Sequence, residues 1–318
     1  MFATHLRARG ALCRSLTVTL CLVAAPLTAF GENAAPAGTV EAGSDPGAVA
    51  EPAPTNNGKV AFSIGSDFTN AYFFRGILQE RNGFIWQPYG GVTFKLAQDT
   101  GYGAIDNIDF SLGTWNSIQS EQTFASGSGP ANWFESDVLV GFTMGLFGFV
   151  STNITYAAYT FPNGAYSVAQ ELDWTIGFND SELLGPFALN PSMLWAFEVD
   201  STAFGDTSQE GIYLGLGVKP GVTLFEDAEY PLTLAVPLTV GLSVSNYYDE
   251  GPGGDNDTFG YFDGGLVASL PLAFMPSDYG SWSVSASLDV LALSGTLARV
   301  NEGNGTYFVG KGGIAFSY

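Results

Sequence analysis

The sequence has very little cysteine and histidine. Its two cysteines, Cys13 and Cys21, and its only histidine, His5, all lie within the first 21 residues. Beyond that segment there is no thiol and no imidazole, which excludes disulfides, Cys/His zinc sites and nucleophile–histidine catalysis. The sequence therefore predicts a protein that is not an enzyme of these kinds and that has no metal site and no cofactor.

The first 31 residues have the organisation of a secretory signal peptide. Three arginines precede an apolar run over residues 16–25, and small residues up to Gly31 follow it. The apolar run is shorter than the roughly 20 residues that a membrane-spanning helix needs. We expect residues 1–31 to be removed on export, together with every cysteine and histidine of the chain.

Basic residues are also scarce. The chain has 10 Lys and Arg against 31 Asp and Glu, and three of the ten lie in the predicted signal peptide. A nucleic-acid partner needs a basic patch that neutralises phosphates, so this balance predicts no nucleic acid as a partner. Charged residues make up only 13% of the chain against 46% hydrophobic residues, which is unusual for a soluble acidic protein.

Residues 32–58 lack aromatic residues altogether. They consist mainly of Ala, Pro, Gly and acidic residues, a composition that cannot bury an apolar core. We expect a disordered arm at 32–58, followed by a single domain over residues 59–318.

From residue 59 onward the hydrophobic pattern has a period of two. In residues 232–244 seven consecutive even positions are Leu or Val, and the positions between them are mostly small or hydroxylated. This alternation predicts β-strands and excludes an amphipathic helix. Pro237 lies inside the run, and because it lacks a backbone donor we expect a bulge there.

Twelve segments are predicted as strands in this way. Long connections rich in Gly, Asp, Asn and Ser alternate with short ones, and only 180–189 has room for a helical turn. The segments are 59–78, 84–98, 104–119, 134–146, 149–161, 167–179, 190–202, 211–225, 231–248, 259–274, 280–294 and 306–318.

The length and faces of these segments favour a membrane barrel. Many exceed ten residues, enough to cross a bilayer at a tilt, and their polar face is small with occasional carboxylates. A sheet in lipid must close on itself, because every backbone donor needs a partner. We therefore predict an all-β fold, a transmembrane antiparallel β-barrel of about 12 strands with both termini in the periplasm. A soluble secreted β-sandwich, which also alternates, is the alternative.

Aromatic residues near the segment ends fit the girdles that such barrels place at the two membrane interfaces. We interpret seven residues in this way: Trp86, Tyr89, Trp133, Phe134, Tyr247, Tyr248 and Tyr261.

The sequence ends in the middle of a predicted strand. Phe308, Ile314, Phe316 and Tyr318 share one face, and Tyr318 is the last residue given. We expect this strand to close the barrel against the first one. Ile314, Phe316 and Tyr318 resemble the C-terminal signature of outer-membrane barrels, and the resemblance implies recognition by the barrel assembly machinery.

A second resemblance lies in residues 65–80, GSDFTNAYFFRGILQE. The segment resembles the opening strand of the TorF-type porin family, in which a Ser-Asp-aromatic run leads into Phe-Arg-Gly and then a polar residue. The matching positions here are Ser66, Asp67, Phe68, Phe74, Arg75, Gly76 and Gln79, with TNAY as extra residues between the halves. The resemblance implies an outer-membrane barrel with a role in transport.

Charged residues on the predicted inner face are candidates for lining a pore. Three pairs of carboxylates lie two residues apart, and an acidic ring of this kind favours cations. Arg75 is the candidate for a constriction or, alternatively, for a structural salt bridge, and the carboxylates are alternatively solvated residues near the mouths. The candidates are Arg75, Glu135, Asp137, Glu171, Asp173, Glu198, Asp200, Lys219, Asp289 and Lys311.

These observations predict a channel of the bacterial outer membrane. We expect passive diffusion of small hydrophilic solutes, with a preference for cations, and outer-membrane lipid and the assembly machinery as partners. A glycosidase-like use of the carboxylate pairs lacks any sign of a sugar-binding cleft. A non-conducting barrel whose loops bind a partner is the main alternative function.

Overall fold

The protein is described here by a computed structural model, which covers residues 58–121, 129–200, 210–248 and 257–318. The predicted signal peptide and nearly all of the predicted arm lie outside these residues. Within them, one antiparallel sheet closes on itself as a barrel of 12 strands. The all-β barrel prediction is confirmed, and the soluble sandwich is wrong.

The sheet contains 14 strand segments in the described ranges, and two further short strands form a separate hairpin. The segments are β1 (Val60–Thr69), β2 (Tyr72–Phe74), β3 (Ile77–Glu80), β4 (Ile85–Tyr102), β5 (Ile105–Gln119), β6 (Trp133–Leu146), β7 (Val150–Thr160), β8 (Ala169–Phe178), β9 (Ser192–Asp200), β10 (Ile212–Val218), β11 (Gly221–Leu224), β12 (Leu232–Ala235), β13 (Leu238–Ser245), β14 (Phe259–Pro271), β15 (Ser281–Leu293) and β16 (Thr306–Ser317).

Two barrel strands are interrupted at prolines. β10 and β11 form one strand broken at Lys219 and Pro220, and β12 and β13 form the neighbouring strand broken at Pro237. The breaks face each other, since the N–H of Val236 donates to the carbonyl of Pro220 at 2.8 Å. A proline has no N–H for the ladder, and at Pro237 the strand has a short gap in place of the expected bulge.

The barrel closes between its first and last strands. β1 pairs with β16 in antiparallel register, with Ser66 opposite Ile314 and Ile64 opposite Phe316. Phe62 and Tyr318 exchange both backbone hydrogen bonds, at 2.8 and 2.9 Å. The closure predicted for the last strand is therefore confirmed, while its role as an assembly signal stays a prediction.

The outer face of the barrel is apolar. Large hydrophobic side chains in the middle of the strands are 38–65% exposed, whereas the alternate positions point inward. Outward-facing residues include Phe62, Ile64, Leu112, Val138, Phe142, Ile154, Leu172, Trp174, Leu216, Leu266, Leu288, Phe308 and Ile314. An apolar band of this extent around a closed sheet is typical of a surface that contacts lipid.

The two ends of the barrel differ. At one end, which we call the turn end, Gly58 and Tyr318 lie beside short connections such as 147–149. We call the opposite end the loop end. The 180–189 connection at the turn end contains the short helix α1 (Ser181–Leu184), as its length allowed. At the loop end, α2 (Gly295–Val300) follows β15. Neither helix of the described ranges is long and apolar enough to cross a membrane.

The first predicted segment, 59–78, is too long. β1 ends at Thr69, and residues 72–80 form a separate hairpin of β2 and β3. We call residues 72–80 the lumen hairpin. In the TorF-type resemblance, the Ser-Asp-Phe half lies on β1 and the Phe-Arg-Gly half at the tip of this hairpin, so the extra TNAY residues connect two different elements.

Candidate functional site

The lumen hairpin folds back into the barrel at the loop end and contacts the wall on every side. Tyr72 packs against Trp115 of β5, Phe74 against Tyr159 of β7, and Phe73 against Tyr307 of β16, with ring centroids 4.8–5.2 Å apart. Ile77 packs in a third cluster with residues of β9, β10 and β14. The hairpin thus fills the loop-end half of the lumen as a packed core.

Arg75, at the tip of the hairpin, lies in a site built by the wall. Its Nη1 is 2.8 Å from Oε1 of Glu171 and 2.7 Å from the hydroxyl of Tyr247. Its Nη2 is 3.4 Å from Oδ1 of Asp173, and its Cζ is 4.7 Å from the ring centroid of Tyr213. We call Glu171, Asp173, Tyr213 and Tyr247 the guanidinium cage.

The turn at the tip explains why Arg75 points into the cage. Arg75 and Gly76 have φ values of +46° and +81°, the combination of a two-residue type I′ turn. A side chain at Gly76 has no room, because an added Cβ would lie 2.8 Å from both Leu297 Cδ1 and Tyr261 Cδ1. Only glycine therefore fits beside the arginine.

Two loop-end residues hold the backbone of the hairpin. The amide of Asn301 donates from Nδ2 to the carbonyl of Gly76 at 2.6 Å and accepts at Oδ1 from the N–H of Leu78 at 2.8 Å. The hydroxyl of Tyr248 donates to the carbonyl of Arg75 at 3.0 Å. These bonds satisfy backbone groups that the separate hairpin leaves without a ladder partner.

Helix α2 supports the hairpin from the loop end. Leu297 is fully buried against the tip, and Asn301 follows the helix directly. The first turn of α2 is capped by Ser294 and by Asp257, which accepts from the N–H of Thr296 at 3.1 Å. Hydrogen bonds from Thr296 hold the pKa of Asp257 below its usual range, so this cap is ionised at neutral pH.

A second carboxylate pair lies beside the cage. Glu135 accepts a hydrogen bond from the hydroxyl of Tyr72 at 2.8 Å, and Asp137 is 5% exposed. Oδ1 of Asp137 is buried and has no hydrogen-bond partner among the described residues. Arg75 forms ion pairs with Glu171 and Asp173. Among the described residues of the lumen, no lysine or arginine forms an ion pair with Glu135 or Asp137.

The other predicted pore-lining residues are spread over different places. Glu198 is buried near the cage and accepts from the N–H of Gly211 at 2.5 Å. Asp200 is exposed at the end of β9, bonded to Gln170, and Lys219 lies in the proline break. Asp289 is buried on the inner face of β15, and Lys311 of β16 is paired with Ser287, two residues before Asp289. Whether any of these residues line a conducting pore stays a prediction.

Four aromatic residues that were predicted to form the interfacial girdles lie inside the lumen instead. Phe134, Tyr247, Tyr248 and Tyr261 are at most 2% exposed and lie inside the barrel, so the girdle interpretation is wrong for them. Only Trp133 and Trp86 of that set lie on the outer side of their strands. Tyr261 lies on the face of β14 opposite the apolar residues Phe262 and Leu266, and this alternation indicated that it points inward.

The closed sheet, its apolar outer face and its polar inner face together define a class of protein. In lipid every backbone donor of a sheet must be paired, and a closed antiparallel barrel with an even number of strands meets that requirement. The chain is accordingly a transmembrane β-barrel of the bacterial outer membrane.

No protein-family model and no curated protein matches the chain. Among solved structures, LpxR from Salmonella typhimurium has a TM-score of 0.44 and 8% identity, covering 80% of this chain and 99% of that one. An outer-membrane channel from Pseudomonas putida F1 has a TM-score of 0.42 and 11% identity, covering 81% and 95%. The translocator domain of the autotransporter NalP from Neisseria meningitidis has a TM-score of 0.40 and 12% identity, covering 83% and 90%. The barrel assignment depends on the sheet and its faces rather than on these likenesses.

Proposed function

We propose that the protein is a gated outer-membrane channel that lets small hydrophilic solutes diffuse through its lumen and prefers cations. In this proposal the lumen hairpin is the gate. The barrel wall provides the path, and the carboxylates on its inner face set the selectivity.

The observation that supports a gate is the way the hairpin is attached. In the described ranges, β2 and β3 pair only with each other and are not part of the barrel ladder. Their contacts with the wall are side-chain packing, ion pairs and side-chain hydrogen bonds. The hairpin can therefore leave the lumen without breaking any backbone hydrogen bond of the barrel, which remains closed and stable in lipid.

The charge of the lumen supports a preference for cations. Near the loop end Glu135, Asp137, Glu171, Asp173 and Glu198 are buried on the inner face, with Arg75 as the cation among them. Carboxylates in a confined aqueous path raise the local concentration of cations and exclude anions. Screening shortens to about 3 Å at 1 M salt, so this preference should weaken as the salt concentration rises.

A reversal potential in a salt gradient across a planar bilayer tests this selectivity. We expect the unmodified protein to prefer cations, and we expect the double variant Glu135→Gln, Asp137→Asn to show a reduced preference. This pair is chosen because Arg75 already neutralises part of the charge of Glu171 and Asp173.

Glu182→Gln is the control, because it removes a carboxylate at an exposed position in α1, outside the strands of the barrel. It should leave the reversal potential unchanged. Anion preference in the unmodified protein, or equal shifts in the control and the double variant, would contradict the proposed selectivity.

A non-conducting barrel is the second candidate, and the packing of the hairpin favours it. If the hairpin never leaves, the barrel is a rigid support for its loops, and bilayers containing the protein show no current. The two candidates therefore differ in a single observable, the presence of conductance.

Three further statements belong to the same proposal. The resemblance of residues 65–80 to the opening strand of TorF-type porins supports a role in transport. The turn end, with the termini, faces the periplasm, and the assembly machinery recognises Ile314, Phe316 and Tyr318. The protein is not an enzyme, in keeping with the position of its only histidine, His5, inside the predicted signal peptide.

A further inference from the structure

We infer that the guanidinium cage is a binding site for solutes that carry a guanidinium group, and that Arg75 is its tethered occupant. Such a solute exchanges with Arg75 and releases the lumen hairpin. This inference rests on the proposed function, because it names the ligand that opens the proposed gate.

The cage surrounds the guanidinium group on three sides. Glu171 and Asp173 meet its two terminal nitrogens at 2.8 and 3.4 Å, and the hydroxyl of Tyr247 lies 2.7 Å from Nη1. The rings of Tyr213 and Tyr247 lie 4.7 and 5.4 Å from Cζ, within the range of cation–π contacts. Carboxylates at the edge and aromatic rings near a planar cation form a complete recognition site.

The wall supplies this site almost alone. Glu171 and Asp173 lie on β8, Tyr213 on β10, and Tyr247 in the connection after β13. The hairpin adds only Phe74, whose ring centroid is 4.8 Å from Cζ of Arg75. The site therefore persists when the hairpin leaves, and a free solute would meet the same carboxylates and the same two tyrosine rings.

Glu171 of the cage is held in place by a hydrogen bond that does not involve Arg75. The hydroxyl of Tyr159, on β7, donates to Oε2 of Glu171 at 3.1 Å, while Oε1 faces Arg75. Glu171 and Asp173 are two residues apart on one strand and therefore share its inner face. A preoriented pair loses little conformational freedom when it binds a cation.

While the hairpin fills the lumen, the two cage carboxylates need a cation beside them. Glu171 and Asp173 are 3% and 2% exposed, so removing Arg75 without replacement would leave two carboxylates unpaired in a confined space. Release of the hairpin is therefore best coupled to the arrival of another cation. The gate then opens by exchange of one guanidinium for another, which keeps the charge of the cage constant.

The geometry selects guanidinium over a simple amine. A guanidinium is planar and presents a fork of N–H donors, which matches two carboxylates and lies flat against a ring. An ammonium is a compact and strongly hydrated point charge that meets only part of this arrangement. The cage should therefore distinguish alkylguanidinium from alkylammonium ions of the same length.

Labelling of a single cysteine reports the exchange without any measurement of current. Ala71, next to the hairpin, is 6% exposed, and we expect Ala71→Cys to react slowly with a membrane-impermeant maleimide in the purified barrel without its predicted signal peptide. Addition of n-propylguanidinium, the cation at the end of an arginine side chain, should raise the labelling rate saturably and about tenfold, a change of about 1.4 kcal/mol in the equilibrium. The same concentration of n-propylammonium is the matched control and should leave the rate near its starting value.

The outcomes separate this inference from the proposed function. A saturable increase with propylguanidinium alone supports the exchange, whether or not the protein conducts. No increase, or an equal increase with propylammonium, overturns it even if the barrel is an open channel. Migration of folded and heated samples on a gel checks that the barrel stays intact at each concentration.

Discussion

Deletion of residues 71–80 is expected to raise the single-channel conductance several-fold while the barrel remains folded. The deletion removes the lumen hairpin and leaves Asn70 joined directly to 81–84. Thr69 and Ile85 are paired neighbours on β1 and β4, so this short connection, which contains Asn82 and Gly83, has the length of an ordinary hairpin loop. Water then fills the space that the hairpin occupied and solvates the carboxylates of the cage.

The measurement is the single-channel current in planar bilayers, compared with the unmodified protein at the same salt concentration. Arg81→Gln is the control, because it changes the same connection but breaks only the exposed ion pair with Glu302. Such a pair contributes little to stability. An unchanged conductance in the deletion variant, with the barrel intact, would show that the hairpin does not close the lumen.

Deletion of Phe316 to Tyr318 is expected to abolish the assembled barrel. Phe316 lies between Ile64 of β1 and Trp282 of β15, and Tyr318 forms two backbone hydrogen bonds with Phe62. Without them the first residues of β1 have an unpaired edge at the depth of the membrane interface. Unpaired backbone groups are not tolerated in lipid, so the truncated chain should aggregate or be degraded before insertion.

The amount of heat-modifiable protein in isolated outer membranes measures this effect. Phe187→Ser is the control, since it removes an aromatic ring that is 78% exposed at the same end without touching the ladder. The control should assemble at nearly normal levels. Normal levels of the truncated protein would show that the β1–β16 closure does not require its last three residues.

The strands of the barrel were predictable because lipid and lumen impose opposite demands on alternate residues. β13, for example, has Leu and Val on one face and Thr, Gly and Ser on the other, so its character follows from period alone. An irregularity at Pro237 follows from a single residue that lacks a backbone donor. Each of these features depends on local sequence, and local sequence was sufficient to predict it.

The lumen hairpin was not predictable in the same way. The hairpin contains large apolar residues, Tyr72, Phe73 and Ile77, which pack inside the barrel. Apolar residues are equally suited to contact lipid, so the hydrophobic pattern of β1 continues into the hairpin without a visible boundary. The available signals were the length of the segment 59–78 and the Arg75-Gly76 pair, which suits a two-residue turn. Helix α2 was missed because six residues are too few for a helical period to appear.

The cage itself depends on contacts between distant parts of the sequence. Arg75 meets Glu171, 96 residues away, and Tyr247, 172 residues away. The sequence indicated that Glu171 and Asp173 face inward and that Arg75 is a candidate for a salt bridge. It gave no means of pairing these residues, because the pairing is determined by the fold of the hairpin into the lumen.

The rate at which single cysteines react with a membrane-impermeant maleimide tests most directly whether the hairpin fills the lumen. The predicted mature chain has no cysteine, so Ala71→Cys and Asn82→Cys each give one reactive position. Ala71 is buried beside the hairpin, whereas Asn82 is exposed just beyond it. We expect the thiol of the Ala71→Cys variant to be strongly protected and the thiol of the Asn82→Cys variant to react at the rate of a free thiol. Equal and rapid labelling of both variants would contradict the packed hairpin and the gate derived from it.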